Sequence, residues 1–220
     1  MKKYKGFLFD LDGTLVDSLP AVVRAWSRWA ERHGIAAEEV LGFIHGKPAM
    51  SSLRHFMPGQ SEEAIQAEFR WLERLEAEDT DGVQAIAGAA TLLASLNAQQ
   101  IPWAIVTSGS VPVAHARHKA AGLPLPEVFI TAENITHGKP HPEPYLLGAK
   151  RLGLAPTECI VVEDAPAGII AGLDAGCAVV AVNPPANAPR GHELMLRVDN
   201  LAPLRVEKNA AGDVALTTLR

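Results

Sequence analysis

A chain of 220 residues, 48% hydrophobic and 20% charged, has enough apolar material for a domain-sized core and an ordinary globular balance. Its formal charge of −5 argues against a nucleic-acid partner, because binding a phosphate backbone wants a basic surface. A small phosphorylated metabolite stays open, since a few local cations can handle one phosphate.

Cys159 and Cys177 form no CxxC pair and sit in or beside apolar runs, so buried thiols are expected rather than a structural zinc site. The apolar start at Phe7 is broken by Asp10 and Asp12, and no apolar run approaches the roughly 18 residues of a membrane span. The expectation is a chain in the reducing cytoplasm, working as a monomer or weak oligomer, with no membrane contact.

In chain order, Gly6-Phe7-Leu8-Phe9 is a short apolar run ending in a carboxylate, as a buried parallel strand with a polar site at its C-terminal end would read. From Pro20 to Gly82 no strong strand candidate occurs. Val22, Trp26 and Trp29 share one helical face opposite Arg24, Arg28 and Arg32. Ile65, Phe69 and Leu72 repeat the pattern, with Ser61 as N-cap ahead of Glu62 and Glu63. The stretch reads as an all-helical subdomain, residues 17–82, inserted into a core of residues 1–16 and 83–220. Val16-Asp17-Ser18 and Asp81-Gly82-Val83 are its candidate hinges.

The strand–helix rhythm then resumes. A helical stripe of Leu92, Leu93 and Leu96 precedes the strand Trp103–Val106, which ends at Thr107-Ser108-Gly109. Helices follow over Val113–Ala121 and Tyr145–Leu152, closed by Gly122 and Gly153, with a weaker strand, Val128–Ile130, between them. Cys159–Val162 ends at Glu163-Asp164, Ile169 to Leu173 is helical, and Ala178–Val182 ends at Asn183-Pro184. Alternation of this kind predicts an α/β fold, a Rossmann-like parallel sheet with helices on both faces and its ligand beyond the carboxyl ends of the strands. Leu204–Glu207 and Val214–Leu216 predict a terminal hairpin.

The polar clusters all fall at those carboxyl ends. Asp10 and Asp12 flank Leu11 and precede Gly13, which lets the backbone turn away sharply. Glu163-Asp164 adds two more acids if the strands are neighbours, and such a cluster needs a cation. An all-oxygen set with open positions suits magnesium. Thr107 and Ser108, at a strand end opening a helix, offer hydroxyls and amides to phosphate oxygens, and Lys139 in Gly138-Lys139-Pro140 steadies the anions. His115, His118, His137 and His141 show no ligand spacing backed by acids. In the insert, His45, Lys47 and Arg54 are candidates to reach down to a substrate.

These strings, Phe9-Asp-Leu-Asp-Gly-Thr-Leu15, Val106-Thr-Ser-Gly109, Gly138-Lys-Pro140 and Val162-Glu-Asp-Ala-Pro-Ala-Gly168, resemble the four motifs of the haloacid-dehalogenase superfamily, in its order and over nearly the whole chain. The helical insert resembles the cap of the subgroup that includes β-phosphoglucomutase and phosphoglycolate phosphatase. Phe7 to Pro20 and Trp103 to Ser110 are similar to bacterial sugar- and hexitol-phosphate phosphatases. The resemblance implies Mg²⁺-dependent hydrolysis of sugar or polyol phosphate monoesters, with Asp10 as nucleophile and Asp12 as acid and base. It implies Asp10, Asp164 and the Asp12 carbonyl as metal ligands, with Glu163 either a ligand or a neighbour of one. Leu11, Asp12, Lys139 and one of Thr107 or Ser108 would hold the phosphate. A phosphomutase and a phosphoglycolate phosphatase are the alternatives; Ala49, where mutase relatives would carry an arginine, speaks against the first.

Overall fold

The computed structural model describes residues 3–44 and 47–219. In chain order the elements are β1 (Gly6–Phe9), β2 (Val16–Asp17), α1 (Leu19–His33), α2 (Ala37–Ile44), α3 (Ala49–Phe56), α4 (Glu62–Glu78), β3 (Gln84–Ala85), α5 (Ala89–Ala98), β4 (Trp103–Val106), α6 (Val111–Ala120), β5 (Val128–Ile130), α7 (Glu143–Arg151), β6 (Cys159–Glu163), α8 (Pro166–Asp174), β7 (Ala178–Val182), β8 (Leu196–Val198), β9 (Leu204–Lys208) and β10 (Val214–Thr218).

Six strands form one parallel sheet in the order β5-β4-β1-β6-β7-β8. The strands alternate their side chains between two apolar layers. Phe7 and Phe9 join Leu92, Leu93 and Leu96 of α5 and Ala114 of α6 on one face. Leu8, Val106 and Val161 join Tyr145 and Ala149 of α7 and Ile169 of α8 on the other. The chain winds from β1 toward β5 on one side and from β6 toward β8 on the other, so the carboxyl ends of β4, β1 and β6 meet where the winding reverses. That is where an open parallel sheet leaves a crevice for a ligand.

Helices α1–α4 carry a third apolar cluster of their own, centred on Trp26, Trp29, Val40, Leu53, Ile65 and Leu72. Trp29 is fully buried and donates its indole N–H to Glu68 at 3.1 Å. Ser61 accepts the amide of Ala64 at 3.2 Å, the N-cap expected for α4. The four-helix unit is joined to the sheet domain by β2 and β3, which pair antiparallel (Val16↔Ala85, Asp17↔Gln84). Of the two segments expected as hinges, Val16-Asp17-Ser18 contains β2 and Asp81-Gly82-Val83 directly precedes β3.

Two corrections to the sequence reading concern element ends and edges. Helices α6, α7 and α8 begin about two residues before their apolar stripes, because each carries a proline in its first turn, where the missing N–H has no intrahelical partner to lose. Strand β8, unpredicted, is a three-residue edge strand whose central Arg197 is exposed, so no apolar run marks it. The hairpin is present as β9–β10 and packs on the α5 side, with Gln99 donating to the Val206 carbonyl at 2.9 Å. No helix among the described residues is long and apolar enough to cross a membrane.

Candidate active site

Lys139 is the hub of the polar cluster. Its ammonium has three N–H donors, and three acceptors take them: Asp10 Oδ1 at 2.8 Å, Glu163 Oε1 at 2.7 Å and the Val106 carbonyl at 2.9 Å. Burial works against its charge, but attraction to Asp10 and Glu163 prevails and holds its pKa above the usual lysine value.

Glu163 is used up by its neighbours. Its Oε1 accepts from Lys139 and from the Tyr145 hydroxyl at 2.8 Å, and its Oε2 accepts the amides of Asp164 at 3.0 Å and Ala165 at 3.1 Å. A carboxylate has about four lone-pair sites, and all are filled. The carboxylate fits under α8 because residue 168 is glycine; a Cβ there would overlap it. Tyr145 was read from sequence only as the start of a helix, and its polar role had no sequence signal.

Asp10 and Asp164 differ from Glu163 in keeping oxygens free. Asp164 accepts from the Thr14 hydroxyl at 3.2 Å. Burial, and next the charge of Glu163, push the Asp10 carboxyl well above the ordinary carboxylate range, with Lys139 only partly opposing. The same two causes raise Asp164 to about 7. Both shifts come from packing acids close together away from water, where a positive charge beside them would favour the ionised forms. Carboxylate oxygens of Asp10, Glu163 and Asp164 lie within 4.8 Å of one another. The free oxygens of Asp10 and Asp164 suit a hard divalent ion, so these two residues fit Mg²⁺, with Glu163 beside them.

Thr107 and Ser108 stand differently at the end of β4. Thr107 is buried and its Oγ1 accepts the Gly109 amide at 3.0 Å, which leaves its O–H to donate. Ser108 is exposed. Both face the same cavity, about 570 Å³, with Asp10, Asp12, Lys139 and Asp164 on its floor. Its roof comes from the helical unit: Trp26, Phe69 and Leu72 supply apolar surface, and Lys47, Glu73 and Glu76 supply charge. Leu11 is buried beneath the floor, so only its backbone is available to a ligand.

Of the three insert residues expected near a substrate, Lys47 reaches the cavity, its ammonium 3.2 Å above the Phe43 ring centroid. His45 lies outside the described residues. Arg54 does not line the cavity: the last turn of α3 faces the start of α4, and Arg54 pairs with Glu62 at 2.6 Å on the exposed surface. A further correction concerns the histidines. His137 and His141 do have an acid beside them, Glu143, which accepts the amides of Thr136 and His137 at 2.7 and 2.8 Å and so braces the loop presenting Lys139.

The residue that sequence reasoning missed is Arg117 of α6. It is 5% exposed, and it pairs with Asp12 at 3.2 Å and with Glu76 at 3.0 Å. In the sequence it begins Arg117-His118-Lys119, which reads as an ordinary basic last turn.

The chain is similar to known proteins in sequence and in fold. The family model of haloacid dehalogenase-like hydrolases matches residues 4–176. Hexitol phosphatase A of Escherichia coli (strain K12) is 65% identical over 212 residues, 96% of this chain and 98% of that one. Glycerol-1-phosphate phosphohydrolase 2 of Saccharomyces cerevisiae is 34% identical over 82% of this chain and 75% of its own length. A crystal structure of a hydrolase from Pseudomonas syringae superposes with a TM-score of 0.75 at 26% identity, over 90% of this chain and 94% of that one.

Proposed function

The chain belongs to the haloacid dehalogenase-like hydrolases, and from that premise we propose that it hydrolyses phosphate monoesters of sugars and polyols, hexitol and hexose 6-phosphates foremost, through an aspartyl phosphate on Asp10. The observation that carries the reading is the convergence of Asp10, Asp164 and the Lys139–Glu163 pair on the floor of a roofed cavity. The choice of substrate class is supported by the relatives, a hexitol phosphatase and a glycerol-1-phosphate phosphohydrolase among them. The roof agrees: largely apolar, with Glu76 taken by Arg117 and the charge of Lys47 offset by that of Glu73, it suits a neutral, hydroxyl-bearing leaving group better than one carrying a second anion.

The reaction divides into two displacements. Asp10 attacks phosphorus; the bond to the sugar oxygen breaks, and Asp12 gives that oxygen a proton. Asp12 then takes a proton from water as the water attacks the aspartyl phosphate, and the bond to Asp10 breaks. Asp10, Asp164 and the Asp12 carbonyl would hold Mg²⁺, which when bound supplies charge neutralisation for the phosphoryl oxygens. Glu163, with its lone pairs filled, orients Lys139 and is not itself a ligand. Backbone amides at Leu11 and Asp12 and the hydroxyl at the end of β4 hold the phosphate. Residues 17–82 act as a cap that excludes bulk water and reads the leaving group.

Thr107, buried and with its O–H free to donate, is the hydroxyl that matters. Thr107→Ala is expected to lower kcat/KM by about 10²- to 10³-fold, the scale for one lost oxyanion donor. Ser108→Ala should stay within a few-fold of wild type, and the reverse ranking in steady-state assays would reassign the role.

A panel of phosphate esters assayed with Mg²⁺ tests the function. Sorbitol 6-phosphate and 2-deoxyglucose 6-phosphate should exceed phosphoglycolate in kcat/KM by about tenfold or more, about 1.4 kcal/mol of differential binding. Glucose 1-phosphate should yield inorganic phosphate rather than its 6-phosphate isomer. A preference for phosphoglycolate, or full activity after chelation of the metal, would overturn the proposal.

A further inference from the structure

Arg117 holds a buried cation between two halves of the molecule. Its Nη1 donates to Oδ1 of Asp12, in the loop after β1, and its Nη2 donates to Oε1 of Glu76, in the last turn of α4. Glu76 reaches it because α4 lies on α6. The side chain of Arg117 is 6% exposed and that of Glu76 14%, so neither charge is at ease without the other. Two details mark the arrangement as incomplete on the Asp12 side. Arg117 Nε is buried without a hydrogen-bond partner. Among the described residues no side-chain or backbone donor reaches Asp12 Oδ2, so Asp12 is held through one oxygen only.

A guanidinium beside a lone carboxylate prefers to grip both oxygens as a fork. Glu76 prevents that by drawing Nη2 away. If the helical unit lifts, Glu76 leaves with it, and Arg117 is free to turn its whole fork onto Asp12. We propose that Arg117 is a positioning residue that makes Asp12 available for proton transfer only while Glu76 is seated, so that closure of the cap and arming of the acid–base carboxylate are a single event. The inference rests on the reading of Asp12 as acid and base. It adds a residue on α6 and one on α4 to the reaction, neither of which touches the transferred phosphoryl group.

The test compares two leaving groups. Since kcat/KM reports the steps through departure of the leaving group, the later hydrolysis of the aspartyl phosphate drops out. Sorbitol 6-phosphate releases an alkoxide that needs a proton; p-nitrophenyl phosphate releases a stable phenolate that does not. Glu76→Gln, nearly isosteric, is expected to lower kcat/KM for sorbitol 6-phosphate about tenfold or more, within the range of acid–base assistance, and for p-nitrophenyl phosphate by less than about threefold. Against an Arg117→Met background the same substitution should lose this selective effect, because the transmitting cation is gone. Direct contact of Glu76 with the sugar would leave the effect intact in that background, and mere packing would lower both substrates alike; either result overturns the inference. Asp12→Asn, run alongside, must show the same leaving-group split. If it does not, the acid–base reading fails first, and the two failures are told apart. Thermal denaturation confirms folding of each variant, and Arg117→Gln, which also lacks the cation, takes the place of Arg117→Met if the latter does not fold.

Discussion

Asp10→Asn is expected to lower kcat on the order of 10⁶-fold, the scale seen when a covalent nucleophile is removed, while leaving the fold intact. The amide keeps the shape of the side chain and its carbonyl oxygen can still accept from Lys139, but it cannot form an acyl phosphate. A second readout separates lost chemistry from lost structure. The Asp10 carboxyl is raised well above its ordinary value by burial, then by Glu163, so the folded state holds its proton more tightly than the unfolded chain does. Stability from such a group is full below the ordinary aspartate range and is lost as pH rises toward the elevated value. Metal-free wild type is therefore strained by Asp10 at pH 8, and Asp10→Asn removes that strain. The variant should melt at or above the wild-type temperature at pH 8, with the difference shrinking toward pH 4, as scanning calorimetry would record. Measurable steady turnover by pure Asp10→Asn would remove the nucleophile from Asp10.

Lys139→Met should be the most destabilising single change at the site. The ammonium is the shared partner of Asp10 and Glu163, both of them buried. Removing one partner of a buried pair typically costs about 3–5 kcal/mol, and at roughly 2–4 °C per kcal/mol for a chain of this size the melting temperature should fall by about 6–20 °C without metal at pH 8. Mg²⁺ should restore part of that loss by replacing positive charge beside Asp10. Activity should stay down by about 10²- to 10³-fold even in Mg²⁺, because Glu163 then has no cation to orient. An unchanged melting temperature would mean that the lysine is dispensable to the acid cluster.

Much of this molecule can be read from its residues, and the unread parts have physical reasons. Buried parallel strands are covered on both faces, so β1, β4, β6 and β7 appear as unbroken apolar runs, each stopping at a polar group. The Asp10-to-Thr14 string and Glu163-Asp164 declare themselves because carboxylates at such ends have few purposes other than holding a cation. Partners far apart in the chain declare nothing. Arg117 is 105 residues from Asp12 and 41 from Glu76, and only the docking of α4 on α6 brings the three together. The surroundings of Glu163 could not be read from its own position, because Tyr145, Lys139 and two amides are what fill its lone pairs. Arg54 misled for the converse reason: an arginine in the insert looks available until a glutamate on the next helix takes it.

The ribbon of β2 and β3 bears on how such proteins diversify. Chain enters and leaves the helical unit side by side, at Val16–Asp17 and Gln84–Ala85, the first of these in the segment that follows Asp10 and Asp12. A unit attached at one doubled seam can be exchanged for another of different size while the sheet, its register and the phosphate chemistry stay as they are. Selectivity toward the carbon skeleton can thus drift from lineage to lineage, whereas the means of breaking the ester bond is inherited whole.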